Sequence, residues 1–250
     1  MRDTNEKSEM LIGRNAVLEA LRSGREIEKI VMAQGTEGSV KKIAGMARDF
    51  HIPIKWVKRS ALDKITDGVH QGVIAFVAAH SYCEVQDILE VAKERGEAPF
   101  IVILDGIEDP HNLGAILRSA ECAGAHGLII GKRRSAGMTE TVAKASAGAI
   151  EYMRVARVTN IARTIDDLKA AGVWIAACDM GDTPYYEADL SGAIALVIGN
   201  EGSGIGRLVR EKCDFTASIP MCGRIDSLNA SNAAAILMFE VRRQRNAGKI

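Results

Sequence analysis

From Phe100 onward the chain repeats one unit: a short apolar run, a polar turn and a helical pattern. The runs are Phe100–Leu104, Gly127–Ile130, Met153–Val158, Val173–Ala177, Ile194–Ile198 and Phe215–Ile219. Helical patterns lie at Asn112–Ala123, Thr139–Ala145, Ile161–Ala171 and Asn229–Arg245. Apolar runs of this length, bounded by Gly or Pro, read as buried strands. Helices between them predict an α/β fold, a parallel sheet with helices on both faces. Ligands of such sheets bind in the loops leaving the carboxyl ends of the strands.

The last two runs have the most informative loops. The stretch from Ile194 reads IALVIGNEGSGIGRLVREKCDFTASIPMCGRIDSLNASN. One loop carries Gly199, Gly202, Gly204 and Gly206, the other Gly223, Ser227, Asn229 and Ser231. Glycines let backbone groups approach a ligand closely, which suits a site gripping adenosine and amino-acid groups. The string Gly202-Ser-Gly204-Ile-Gly206 is not a dinucleotide fingerprint, because Arg207 replaces the third glycine and the string lies late in the chain. No G-x-x-x-x-G-K-[ST] phosphate loop is present.

After Phe100–Leu104, Asp109-Pro110 is a good helix start. Leu113, Ile116, Leu117 and Ala120 form the apolar stripe of that helix, and Arg118 lies about 150° from its centre. The neighbours of Arg118 on the far face, Gly114, Ala115 and Cys122, are small, which places Arg118 beside a cleft or a partner. Several polar residues also have ordinary structural readings. Asn112 can cap its helix, Glu201 can sit in the field of a helix N-terminus, and Ser227, Asn229 and Ser231 can cap the last helix.

Residues 11–79 show a separate, smaller α/β pattern. A helix over Gly13–Leu21 stops near Gly24, strands follow at Lys29–Ala33, Ile52–Val57 and Val73–Ala78, and Val40, Ile43, Ala44, Ala47 and Phe50 form a helical stripe. Ser60-x-x-Asp63 has the form of a capping box. Residues 80–97 are polar and read as a linker with one helix. The expected domains are thus 1–79, a linker at 80–97, and 98–250. Removing 1–79 should leave a folded C-terminal domain.

No apolar run approaches the roughly 20 residues of a membrane span, and the N-terminus lacks the apolar core of a signal peptide. The five cysteines include no C-x-x-C pair, which suits reduced thiols in a cytoplasmic protein. No metal-ligand cluster is visible, and none is expected. The 32 basic residues balance 32 acidic ones, so charge alone does not suggest RNA. Residues 1–80 are weakly basic (13 Lys/Arg against 10 Asp/Glu) and 81–97 acidic (2 against 5). Lys132-Arg133-Arg134, in a loop, has the makings of a phosphate contact, whereas Arg242, Arg243 and Arg245 end a helix that favours cations there anyway. Lys55-Trp56-Val-Lys58-Arg59 interleaves an aromatic with cations, as nucleic-acid surfaces do, although a strand Trp equally suits a core.

Three segments carry a resemblance. Asp105-Gly-Ile-Glu-Asp-Pro-His-Asn-Leu-Gly-Ala-Ile-Leu-Arg118, Leu196-Val-Ile-Gly-Asn-Glu-Gly202 and Ile219-Pro-Met-Cys-Gly-Arg-Ile-Asp-Ser-Leu-Asn-Ala-Ser231 resemble, in order, the three motifs of the SpoU (TrmH-type) RNA ribose 2'-O-methyltransferases. Gly13–Leu21 and His70-Gln-Gly-Val73 look like the substrate-binding domain, similar to ribosomal protein L30e, that precedes many SpoU catalytic domains. The family often has Val where Ala230 stands.

The resemblance implies a trefoil knot in the C-terminal domain and a homodimer. It implies S-adenosyl-L-methionine as methyl donor and RNA as substrate, ribosomal RNA ahead of tRNA. The layout looks most like the enzymes that methylate a guanosine of 23S ribosomal RNA. Matched to the motifs, Arg118, Asn112, Glu201, Ser227 and Asn229 become catalytic candidates. Gly199, Ile219, Leu228, Met221 and Ile198 become cofactor-binding candidates. Two rivals are a binding-only ribosome-assembly factor, opposed by the intact motifs, and a nicotinamide-dependent dehydrogenase, opposed by the missing fingerprint.

Overall fold

The structure, a computed structural model, describes residues 9–25, 27–35, 38–77 and 81–247. The contacts divide the chain into two compact units, Met1–Ser81 with Met138–Tyr152, and Tyr82–Gly137 with Met153–Ile250. This differs from the expected boundaries in two places. Residues 82–97 belong to the second unit, and a segment from within the C-terminal sequence belongs to the first.

The first unit holds β1 (Glu9–Ile12), α1 (Arg14–Ser23), β2 (Ile27–Ala33), α2 (Ser39–Asp49), β3 (Ile54–Val57), α3 (Arg59–Leu62) and β4 (Val73–Val77). The sheet runs β1-β4-β2-β3, with β4 antiparallel to β1 and β2, and β3 parallel to β2. Gly24 ends α1 at φ 73°, a left-handed turn where glycine escapes the Cβ penalty. Val40, Ile43, Ala44 and Ala47 bury the face of α2 as its spacing predicts, but Phe50 lies beyond the helix and is exposed.

The capping box predicted at Ser60 does not form. Helix α3 starts at Arg59 after Lys58, and Asp63 instead accepts a hydrogen bond from Nε2 of buried His70 at 2.8 Å. His70 Nδ1 accepts from Gly72 N at 2.9 Å, which fixes the proton on Nε2. The predicted strand end at Ala78 lies outside the described residues. Also in this unit are α6 (Glu140–Ala145) and a 3₁₀ turn (Ala149–Glu151), in which Val142, Ala149 and Ile150 are buried. Glu151 pairs with Arg25 at 2.8 Å, both side chains nearly enclosed, and Tyr152 donates its hydroxyl proton to Glu19 at 2.6 Å.

The second unit comprises α4 (Val85–Glu94), β5 (Phe100–Asp105), α5 (Pro110–Ala123), β6 (Gly127–Gly131), β7 (Arg154–Val158), α7 (Ile161–Ala170), β8 (Trp174–Cys178), β9 (Ile194–Gly199), α8 (Arg207–Lys212), β10 (Phe215–Ala217) and α9 (Ala230–Ala247). All six strands are parallel, in the order β10-β8-β9-β5-β6-β7. β10 is shorter than its apolar run, because beyond Ala217 the backbone turns to Thr183 through Ser218 N.

Alternate residues of each strand feed opposite layers. Ile101, Ile103, Ile129, Ile175, Ala195 and Val197 join Ile88 of α4, Ile165 and Leu168 of α7 and Val209 of α8 in one core layer. On the other face lie α5 and α9, which pack along each other. The one helix expected within the linker at 80–97 is α4, which Glu84 and Asp87 cap reciprocally and which buries Ile88 and Ala92. Its charged residues lie on the face turned to solvent, and their number hides a narrow apolar stripe.

Candidate active site

β5 and β9 are neighbours in register, with Asp105 opposite Gly199, so the first two motifs leave the sheet side by side. Their loops are stitched together. Asn200 donates through Nδ2 to Gly106 O at 2.7 Å, while its Oδ1 accepts from Gly202 N at 2.8 Å and Ser203 N at 3.3 Å. Asp105 Oδ2 accepts from Gly206 N at 2.8 Å. A tight turn closes between Asn200 and Gly204, which exchange backbone hydrogen bonds, and Gly204 has φ 64°.

The crowding sits at Gly199. A Cβ there would lie 2.3 Å from the carbonyl carbon of Gly204 and 2.4 Å from Ile205 N. The glycine is required by the protein's own backbone, a stronger constraint than the approach of a ligand.

Asp109 caps α5 by accepting from His111 N, and Pro110 occupies the first turn. That start places Asn112 one turn into the helix, buried, with its Nδ2 2.8 Å from Glu201 Oε1. Asn229 does two things at once. Its Oδ1 caps α9, accepting from Ser231 N at 3.0 Å and Asn232 N at 3.4 Å as well as from Ser231 Oγ at 2.5 Å. Its Nδ2 donates to Glu201 Oε1 at 2.5 Å and to Asn112 Oδ1 at 3.0 Å. Ala230 N adds a longer bond to Glu201 Oε1 at 3.4 Å. The three motifs therefore meet on one carboxylate oxygen, and Glu201 Oε2 makes no hydrogen bond among the described residues.

Glu201 also lines a cavity of about 480 Å³, a size usual for small-molecule sites. Ile198, Gly199, Ile219, Met221 and Leu228, the five cofactor candidates, line it, as does Ser227. Asp179, Met180 and Arg210 do so too, and sequence reasoning missed them. They follow β8 or lie on α8, and the rule that ligands gather at strand carboxyl ends could have flagged Asp179 and Met180. Arg210 holds this corner, donating to Asp179 Oδ2 at 2.7 Å and Met180 O at 3.2 Å. Cys178 in the wall is a neutral thiol. Burial first, then the neighbouring Cys213 and Asp179, push its pKa far up, and burial raises that of Cys213 to about 11.

Arg118 is not brought into the cluster. It lies further along α5, exposed, with no hydrogen bond or salt bridge among the described residues. The small-residue face beside it is largely covered within the chain. Gly114 is buried and Ala115 half-buried in the unit where α5 packs along α9, and only Cys122 is exposed. Of the C-terminal basic residues, Arg243 pairs with Glu240, and Arg245 donates to Ala98 O, Pro99 O and Gly192 O, both structural roles. Trp56, on edge strand β3, is 47% exposed and not a core residue. All five cysteines are free thiols, and no described helix is long and apolar enough to cross a membrane.

Comparison with known proteins agrees with this layout. The family described as "SpoU rRNA Methylase family" matches residues 99–239, and that described as "RNA 2'-O ribose methyltransferase substrate binding" matches 10–83. A Bacillus subtilis protein named to the TrmH family of tRNA/rRNA methyltransferases is 49% identical over 97% of this chain and 98% of its own length. A Staphylococcus aureus protein of the same family name is 46% identical, over 95% and 96%. Among solved structures, the SpoU methyltransferase AviRb of Streptomyces viridochromogenes in complex with AdoMet superposes with a TM-score of 0.81. It is 25% identical, covering 96% of this chain and 92% of that one. An AdoMet-bound rRNA methyltransferase of Sinorhizobium meliloti gives 0.78 at 28% identity, covering 94% and 87%.

Proposed function

The chain belongs to the SpoU family of S-adenosylmethionine-dependent RNA methyltransferases, and from that premise we propose that it methylates a ribose 2'-hydroxyl, on a guanosine of 23S ribosomal RNA. The observation that carries this reading is the convergence of Asn112 and Asn229 on Glu201, which itself lines the cavity together with Gly199, Ile219 and Leu228. The residues present fit the cofactor. Ile198, Ile219, Met221 and Leu228 offer apolar walls for an adenine, while Asp179, Asn200, Glu201 and Ser227 offer polar groups for its ribose and amino-acid ends.

Bound there, S-adenosylmethionine supplies a methyl group that is already activated. The protein's task is to align the ribose oxygen with it, remove the hydroxyl proton and stabilise the alkoxide. Asn112 and Asn229 hold Glu201 by one oxygen and leave Oε2 to take the 2'-hydroxyl proton, directly or through water. Arg118 stays charged, since a guanidinium does not deprotonate in proteins. It forks onto the substrate phosphate and stabilises the developing alkoxide, and Ser227 orients the ribose.

The residues matched by the substrate-binding family, in the first unit, read the RNA. A trefoil knot is consistent with a chain that runs from β10, at one edge of the sheet, back to lay α9 beside α5. A homodimer is supported by Ile236 and Phe239, one turn apart and both exposed on α9. Mapping ribose methylation across total RNA from cells with and without the protein tests the assignment. One 23S guanosine should lose its methyl group, and a loss confined to tRNA would reassign the substrate.

A further inference from the structure

We propose that Lys132, Arg133, Arg134 and Arg157 form a phosphate track that holds the RNA backbone on the catalytic unit, at the same end of the sheet as the active site. This rests on the RNA-methyltransferase reading and adds to it a binding surface outside the three motifs.

The first three residues follow β6 directly, and Arg157 sits near the end of the adjacent edge strand β7. All four side chains are exposed. The loop is held firmly. Lys132 N donates to Val158 O at 2.8 Å, Arg157 Nη2 donates to Lys132 O at 3.2 Å, and Ala136 N donates to Ile107 O at 2.8 Å. Ile107 lies in the turn between β5 and α5, which leads into the helix bearing Asn112, so the basic loop is tied to the first-motif loop. The Arg157 guanidinium lies over the Tyr82 ring at 5.2 Å, which sets an aromatic group beside the cations.

In a chain with 32 basic and 32 acidic residues, Lys169, Arg207, Arg210, Lys212 and Arg243 of the same unit each have a carboxylate within 3.3 Å. Lys132, Arg133 and Arg134 make no salt bridge or side-chain hydrogen bond among the described residues. Unpaired cations also occur singly in this unit, at Arg118, Arg154 and Arg163, but among the described residues only this loop sets three in a row. Arg134 moreover holds φ at 54°, a conformation that glycine or asparagine adopts more readily. Three consecutive cations in an ordered loop, with no carboxylate beside them, match a polyanion whose charges are regularly spaced. RNA phosphates are that polyanion for an enzyme that modifies RNA. Such contacts position the strand and carry no sequence information.

The test uses the full chain, in a variant with Lys132, Arg133, Arg134 and Arg157 all replaced by Gln and a second with the three arginines replaced by Lys. Binding of fluorescein-labelled poly(U) is followed by anisotropy across a salt series. In parallel, methyl transfer to ribosomal RNA from cells lacking the protein is measured, and S-adenosylmethionine binding by calorimetry. Each lost phosphate contact on a single strand flattens the log-affinity against log-salt slope by about 0.7. The Gln variant should therefore lose two or more units of slope and about 10- to 100-fold in affinity. KM for RNA should rise with kcat little changed, cofactor binding should hold, and the Lys variant should recover most of the affinity.

An unchanged poly(U) affinity and salt slope in the Gln variant overturns the track, and an acidic protein surface would become the better partner. If the wild type shows the patch-dependent slope but methylates no RNA, the track stands and the catalytic reading fails. If it methylates RNA and the Gln variant does so with unchanged KM, the track alone fails.

Discussion

At the scale of single residues, Glu201 and Arg118 stand in opposite positions. Glu201 is gripped by three donors, whereas exposed Arg118 makes no hydrogen bond or salt bridge among the described residues. Glu201→Gln keeps the shape and removes the charge, so it should fold normally, bind cofactor and lose on the order of 100-fold or more in the single-turnover rate. Unchanged turnover would remove Glu201 from the chemistry. Arg118→Ala should leave unfolding free energy within about 0.5 kcal/mol of wild type, as expected of a surface change, yet lose about 100-fold in rate. Arg118→Lys keeps the charge without the planar fork and should retain measurable activity. A Lys variant as inactive as Ala, with RNA and cofactor binding intact, would contradict the phosphate-clamp role. Asn229→Ala should cost more than activity, because the helix cap it removes is worth about 0.5–2 kcal/mol of stability.

At the scale of elements, the tight β9 loop makes a prediction that separates folding from binding. Gly199→Ala places a Cβ against the Gly204 carbonyl carbon, so its melting temperature should fall even without cofactor. A variant as stable as wild type that merely binds cofactor weakly would restore the idea that glycine is there for the ligand. His126 offers a second check. Its Nδ1 accepts from Phe100 N, its Nε2 meets Glu97, and burial pulls its pKa below the usual 6.5 despite the Glu97 hydrogen bond. The unfolded chain therefore takes up this proton first, and stability falls as pH drops below 6.5 toward the folded-state pKa. Above that window the contribution is constant. Chemical denaturation from pH 7.5 downward should show this slope, and His126→Asn should reduce it.

Much of this level is legible from sequence, because buried strands and helices ended by Gly24 and Gly124 announce themselves. Helix α4 shows itself as a helix but not as part of the packed unit, since its polar majority masks Ile88 and Ala92, and four-residue β1 is too short to show a period. The cluster around Glu201 joins residues 89 and 117 positions apart, a proximity no local pattern encodes. Only the motif resemblance pointed to it.

At the scale of the whole molecule, the chain passes between its two units three times, after Ser81, Gly137 and Tyr152. The stretch 1–79 is therefore not the whole of the first unit, which also takes in 138–152. Removing residues 1–79 takes away Arg25, Glu19 and the β1 strand against which α6 packs, leaving Val142, Ala149 and Ile150 uncovered. The truncated chain should aggregate or bind a hydrophobic dye, and replacing 138–152 with a short Gly/Ser linker should restore solubility and cofactor binding. A well-behaved truncation with 138–152 intact would return the simpler two-domain division.

The central claim is that the cluster around Glu201 drives methylation of a ribose oxygen. Its most direct test is single-turnover transfer from methyl-labelled S-adenosylmethionine to ribosomal RNA from cells lacking the protein, followed by nucleoside mass spectrometry. The prediction is 2'-O-methylguanosine formed by the wild type and nearly absent with Glu201→Gln. Label on a base, or a Glu201→Gln enzyme as fast as wild type, would contradict it.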